Sequence, residues 1–136
     1  MTMPGKRWAP YARTAEIADR LTRFGSVTGS AGEADIAGLI IDILHEIPYF
    51  QDHADNIAVI DSHPVAGGSR MAKSVVALVR GTGRKTMAMA GHFDVVSIEN
   101  YYDLKHLAFA PDTLCEALIA DLSGRESLSD AEALAA

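Results

Sequence analysis

Cysteine is nearly missing from this chain. Cys115 stands alone, so no disulfide can close within the chain, and a reducing compartment fits such usage. No activating partner is legible near it, so Cys115 reads as a packed helix residue and not as a nucleophile. Basic residues are also in deficit, 12 Lys and Arg against 18 Asp and Glu, for a net charge of -6. That balance argues against a nucleic-acid partner, which needs clustered cations. No apolar run approaches the roughly 18 to 20 residues of a membrane span, so no membrane partner is expected. The N-terminal Lys6-Arg7 pair has no apolar core behind it, so it does not read as a secretory signal. A cytoplasmic location follows as the expectation. Glycines that could cradle a phosphate are lacking too: Gly81-x-Gly83 has no third glycine and no helix after it. Internal repeats and low-complexity linkers are absent.

What is present suits a globular core. Of 136 residues, 49% are hydrophobic and 22% charged, a length and composition expected of about one domain. Tyr11 to Phe24 reads as a helix, with Ile17, Leu21 and Phe24 on one stripe and Gly25 as its stop. A small-residue loop, Ser26 to Gly32, leads to a second helix ending near His45. Glu33 lies three residues after Ser30, the spacing of a capping box. Ile36, Leu39, Ile40, Ile43 and Leu44 give that helix an apolar face broad enough to cover a sheet. Pro48 is expected to end it and open a polar connection from Tyr49 to Asp55.

Asn56 to Asp61 alternates as a strand, followed by a long turn from His63 to Ser69. Ser74 to Arg80 carries the strongest strand pattern in the chain. The glycine-containing link Gly81 to Arg84 predicts that it pairs antiparallel with Thr86 to Ala90 in a hairpin. Asn100 to Phe109 reads as irregular or weakly helical, and Pro111 to Leu122 as a helix with Leu114, Leu118 and Ile119 as its face. A last helical turn capped by Ser129 is predicted over Asp130 to Ala136. The pattern as a whole predicts an α/β fold, a mixed sheet with helices packed on its faces.

The chemistry is expected where the Met87 to Ala90 run gives way to Gly91-His92-Phe93-Asp94. Strand ends in open α/β sheets are where ligands collect. A neutral imidazole can hold a divalent metal through one nitrogen while a carboxylate takes the hydrogen of the other. His92 is thus a candidate metal ligand and Asp94 a candidate catalytic residue acting through it. On spacing alone a satisfied structural histidine is the default reading. The remaining histidines have ordinary explanations: His45 faces a helix C-terminus, His106 reads as surface, and His53 and His63 lie at opposite ends of one strand, about 20 Å apart when extended.

Gly91-His92-Phe93-Asp94-Val95-Val96 resembles the first metal-binding motif of the co-catalytic zinc exopeptidase and aminoacylase family. That family includes carboxypeptidase G, acetylornithine deacetylase and succinyl-diaminopimelate desuccinylase. The likeness extends to Ser26-Val27-Thr28-Gly29-Ser30-Ala31-Gly32-Glu33, similar to the entry of the family's second helix, and to Asp55-Asn56-Ile57-Ala58-Val59, similar to its first strand. Ser97 to Tyr102 and Leu107 to Pro111 are most similar to the arginine-utilisation-protein branch. Ser97 departs from the pattern, standing where better-known branches place proline. The family's remaining ligands and its paired glutamates have no counterpart here. Gly124-Arg125-Glu126-Ser127-Leu128-Ser129-Asp130 fails as the Gly-Arg-Gly-x-x-Asp segment, because Glu126 replaces the second glycine and Asp130 falls one position late.

The resemblance implies a metallopeptidase or deacylase type of hydrolase, cleaving an amide bond in an N-acyl amino acid or short peptide. It implies zinc as cofactor, two ions in the complete domain, with other divalent metals able to substitute. His92 would be a ligand, Asp94 its orienting acid, and a metal-bound water the nucleophile. Residues 1–136 would be the N-terminal portion of such a catalytic domain. One histidine cannot hold zinc alone, since an open site uses about three protein ligands, so this chain by itself is expected to be inactive. An uncovered strand edge would favour self-association. The competing expectation is a non-catalytic α/β interaction domain in which His92-Phe93-Asp94 is a structural turn.

Overall fold

Ile36, Ala37 and Ile43 recur at helical spacing, and they lie on the side of the second helix that is withdrawn from water. The computed structural model describes residues 9–65 and 68–124. Within them, α1 spans Ala9–Thr22, α2 Ala31–His45, α3 Pro48–Asp52 and α4 Pro111–Gly124, while β1 spans Ile57–Pro64 and β2 Met71–Ala77. The fold is α/β, and it divides after Val96 into two compact units. The predicted last turn over Asp130 to Ala136, its Ser129 cap and the segment from Arg125 fall outside the described residues.

In the first unit α2 packs against β2, and Ala34, Val65 and Ala72 form a buried cluster. Ile36, 1% exposed, is among the most completely buried side chains; full burial of such a residue is worth about 1.5–3 kcal/mol. Leu39, Ile40 and Leu44 of the predicted face are half-buried. Ile17 and Leu21 of α1 are likewise half-buried, as is Phe24, which lies beyond the helix end at Thr22 instead of inside the helix as predicted. Arg13 and Arg20 both reach the carboxylate of Glu46, the residue that follows α2. These hydrogen bonds, Arg13's first, hold the Glu46 carboxyl below its usual range.

Pro48 does end α2, but the polar connection expected after it is helical. Ile47 is extended and Pro48 begins α3, where its fixed φ suits a first turn. Phe50 is buried and anchors this turn. The Tyr49 hydroxyl accepts from Asn56 Nδ2 and from the Arg80 backbone N–H, each at 2.9 Å, tying the turn to both ends of the hairpin.

The predicted strand pairing is overturned. β2 pairs antiparallel with β1, in the register Ile57↔Ala77, Val59↔Val75 and Asp61↔Lys73, with an irregularity between Asp61 and Pro64. Thr86 to Ala90 forms no strand, and Met87 and Met89 stand 82% and 86% exposed. Two physical reasons favour this outcome. β1 and β2 bring β-branched side chains to the pairing, Val59 directly opposite Val75 and Ile57, Ile60 and Val76 beside them, whereas Met-Ala-Met-Ala offers none. The turn after β1 also closes on itself through Val65 N–H to Arg70 C=O at 3.0 Å. Among the described residues the sheet is therefore two antiparallel strands and not the mixed sheet expected, and α2 is the helix packed on it.

The second unit holds two 3₁₀ turns over Glu99–Leu107, separated at Tyr102 by a backbone at φ 49°, ψ −120°, and α4. Leu114 is buried and Leu118 and Ile119 half-buried, as expected of that face. Cys115 is exposed, which corrects its reading as a packed residue: one position beyond Leu114, it is turned about 100° around the helix and away from the buried side.

Candidate functional site

The segment carrying His92 and Asp94 is held by the loop that precedes α2. Ser26 is fully buried, and its hydroxyl donates to the Phe93 carbonyl at 2.8 Å. Val27 and Val95 form a parallel bridge, with Thr28 N–H donating to Val95 C=O and Val95 N–H to Ser26 C=O, both at 2.9 Å. Two glycines make the loop possible. Gly29 takes φ 81°, a left-handed value that costs a side chain energy. At Gly32 a Cβ would lie 1.9 Å from the Gly25 carbonyl oxygen.

His92 and Asp94 are brought together. His92 Nδ1 lies 2.9 Å from the Asp94 carbonyl oxygen and 3.2 Å from Asp94 Oδ1. Both partners are acceptors, so Nδ1 carries the hydrogen and the lone pair of the neutral ring sits on Nε2. The His92 side chain is 83% exposed and that of Asp94 32%. Thr28 Oγ1 lies 2.8 Å from Asp94 Oδ2 and 2.9 Å from the Val95 carbonyl oxygen. Thr28 is the main reason the Asp94 carboxyl is held below its usual range, with His92 contributing less.

These residues form one side of a cleft of about 180 Å³, whose lining also includes Glu33, Ser62, His63, Lys73 and Ser74. Glu33 is 5% exposed. One of its oxygens accepts from the Gly29 N–H, and the other meets His63 Nε2 at 3.0 Å. The capping box predicted from Ser30 and Glu33 is thus displaced by one residue, and Ser30 supplies no side-chain cap. The pairing of Glu33 with His63 was not legible in the sequence. Thirty positions separate the two, and only the β1 irregularity beside Asp61 and the fold of α2 onto β2 set them face to face. A helix-start glutamate flanked by small residues was the available clue. Its burial, the fact that would have demanded a partner, is a tertiary property.

His53 lies against the Tyr49 ring, 4.6 Å between centroids, and His106 Nδ1 donates to the Asp103 carbonyl at 2.9 Å. Among the described residues no group of three or more His, Cys, Asp or Glu side chains is placed to hold a metal ion. His92 offers one donor toward such a site and does not complete it. A larger concavity, about 840 Å³, runs from Ala77 to Met89 without a histidine or acid in its lining; it is the space left where the predicted hairpin does not close. No helix among the described residues is long and apolar enough to cross a membrane.

Two proteins of Bacillus subtilis (strain 168) are similar to the chain. The uncharacterized protein YqjN is 34% identical over 113 residues, and protein RocB 28% identical over 109. The alignments cover 82% and 79% of this chain but 20% and 19% of those proteins, so the chain spans about a fifth of the length of the curated relatives it matches. No family model matches the chain, and no solved structure matches it.

Proposed function

We propose that the chain corresponds to the N-terminal portion of a zinc-dependent hydrolase that cleaves an amide bond in an N-acyl amino acid or short peptide. The observation that carries this reading is the state of His92: Nδ1–H is engaged by Asp94, and Nε2 is left with its lone pair toward open space. A carboxylate behind an imidazole is the usual arrangement around a metal-bound histidine. The resemblance of Gly91 to Val96 to a zinc motif and the similarity to protein RocB support it. The donors in hand do not fit a complete zinc site, so the remaining ligands must come from polypeptide such as makes up the other four fifths of the relatives. The reading carries a cytoplasmic location and a small-molecule substrate with it.

The test has two parts. Zinc titrated into this chain is expected to shift the His92 ring resonances while binding weakly, with no aminoacylase turnover. In a protein of the relatives' full length, His92→Ala is expected to lose both metal and rate while the fold persists. Tight stoichiometric zinc and turnover by this chain alone, or an unaltered metal content in the full-length variant, would refute it.

A second reading, an interaction domain with a structural His-Phe-Asp turn, is favoured by the density of bonds from Ser26, Thr28 and Val95 into the same segment. Under that reading the His92 ring ignores zinc altogether.

A further inference from the structure

The two acids in the cleft are already spent. Asp94 is engaged by Thr28 and His92, and Glu33 by the Gly29 N–H and His63. The rest of the lining on the Glu33 side carries hydrogen-bond donors: the Ser74 hydroxyl, Lys73, and the ring of His63 with Ser62 beside it, the His63 side chain being 58% exposed. Lys73 gives one of its three hydrogens to Asp61 at 2.7 Å and has two more.

The state of His63 follows from its partners. A carboxylate only accepts, so Nε2 carries a hydrogen toward Glu33. Nδ1, 3.2 Å from the Ser62 hydroxyl, then accepts from Ser62 when the ring is neutral. When the ring is protonated, Nδ1 becomes a donor. An imidazolium held at one end by Glu33 then presents its other N–H as a donor that the Ser62 oxygen and an added anion can share. The charged and titratable groups around the ring are Glu33 from α2, Lys73 from β2, and His92 and Asp94 across the cleft; none of the bonds made by His63 goes to His92 or Asp94.

We propose that this wall is an oxyanion-binding site, in which His63, protonated on binding, bridges the buried Glu33 carboxylate and the carboxylate or phosphate group of a small ligand. The site stands independently of any metal at His92. The proton taken up comes from solvent and resides on Nδ1, and no covalent bond is made or broken.

The experiment follows the histidine rings of the intact chain by long-range ¹H–¹⁵N correlation while acetate is added in one arm and inorganic phosphate in the other. Saturable shifts of the His63 ring are expected in at least one arm, and the arm that responds tells carboxylate from phosphate. His63→Gln, which keeps a polar partner for Glu33, is expected to weaken binding at least tenfold. Folding of that variant is checked by circular dichroism, and the wild-type titration needs no variant. His92→Ala is expected to leave anion affinity within about twofold, so failure of the metal reading is told apart from failure of this one. A His63 ring that does not respond to either anion, or equal affinity in His63→Gln, would overturn the proposal and leave the Glu33 pair as a structural tie between α2 and β1.

Discussion

Gly32 and Gly38 sit six residues apart on α2, and alanine at the two positions is expected to change stability in opposite directions. In a helix alanine is favoured over glycine by about 1 kcal/mol. At Gly38 nothing lies within 4 Å of the added Cβ, so the gain is realised and Gly38→Ala should stabilise by about 0.5–1 kcal/mol. At Gly32 the Cβ would meet backbone: 1.9 Å to the Gly25 oxygen, 2.8 Å to its carbon and 3.3 Å to Ser26 Cα. Relief to a tolerable 3.0 Å takes a shift of more than 1 Å, and no side-chain rotation can supply it. Overpacking of this kind costs about 1–3 kcal/mol. Moving Gly25 and Ser26 also strains the bonds from Ser26 to Phe93 and Val95, each worth about 1 kcal/mol. Net destabilisation of about 2 kcal/mol is expected after the helix gain is subtracted, or a fall of roughly 10 °C in Tm for a unit of this size. Urea titrations followed at 222 nm, with both variants beside the wild type, give the comparison. A Gly32→Ala chain as stable as the wild type would show that the loop before α2 does not pass where the structure has it, and the positioning of His92 would lose its basis.

Thr28→Val removes the main hydrogen bond that lowers the Asp94 pKa, so that pKa should rise toward about 3.9. Because the folded value is depressed, Asp94 contributes stability above its unfolded pKa, and that contribution is lost as pH falls through the folded value. The variant should therefore show a flatter loss of stability on the acid side, read from melts between about pH 2 and 6, with ¹³C carboxyl titration reporting Asp94 directly. An Asp94 pKa that does not move would contradict the assignment. Cys115, exposed on α4, should react stoichiometrically with Ellman's reagent under native conditions at the rate of an ordinary accessible thiol; reaction only in denaturant would return it to the packed reading.

Helices were the most legible part of the fold, because their evidence is local. The α2 boundaries follow from Ser30 before the helix and the aliphatic spacing inside it, and Pro111 marks the first residue of α4. Strands were legible only in part as segments and not as partners. Residues 74–80, the strongest strand pattern, overlap β2, whereas 86–90 forms no strand, and a short glycine link made the two neighbours on paper. Which pair forms depends on the side chains each edge presents to the other, and β-branched residues of β1 outweigh a methionine-alanine run. The same limit applies to Pro48, whose fixed φ ends one helix and begins the next equally well, with buried Phe50 deciding between a loop and a turn of helix.

The candidate site divides along that line. His92 and Asp94, two positions apart, can be paired from sequence, since short separation leaves few geometries. What holds them cannot: Ser26 and Thr28 are 67 and 66 positions from their partners Phe93 and Asp94, and in sequence they look like ordinary loop residues. The burial of Ser26 and the bonds of both explain why the loop before α2 is rich in small and hydroxylic side chains. A larger residue at Gly32 would push the loop outward, and an apolar one at Ser26 or Thr28 would take the hydroxyl donor from the Phe93 carbonyl or from Asp94 Oδ2. Glu33 extends the same reasoning across the cleft. A carboxylate at 5% exposure that reached only the Gly29 N–H would be poorly compensated, and in His63 it has the one kind of side chain that can either donate neutrally or carry the balancing charge. Both walls are thus fixed by the same ten-residue stretch from Ser26 to Asp35, and a change in that loop should disturb His92 and His63 together.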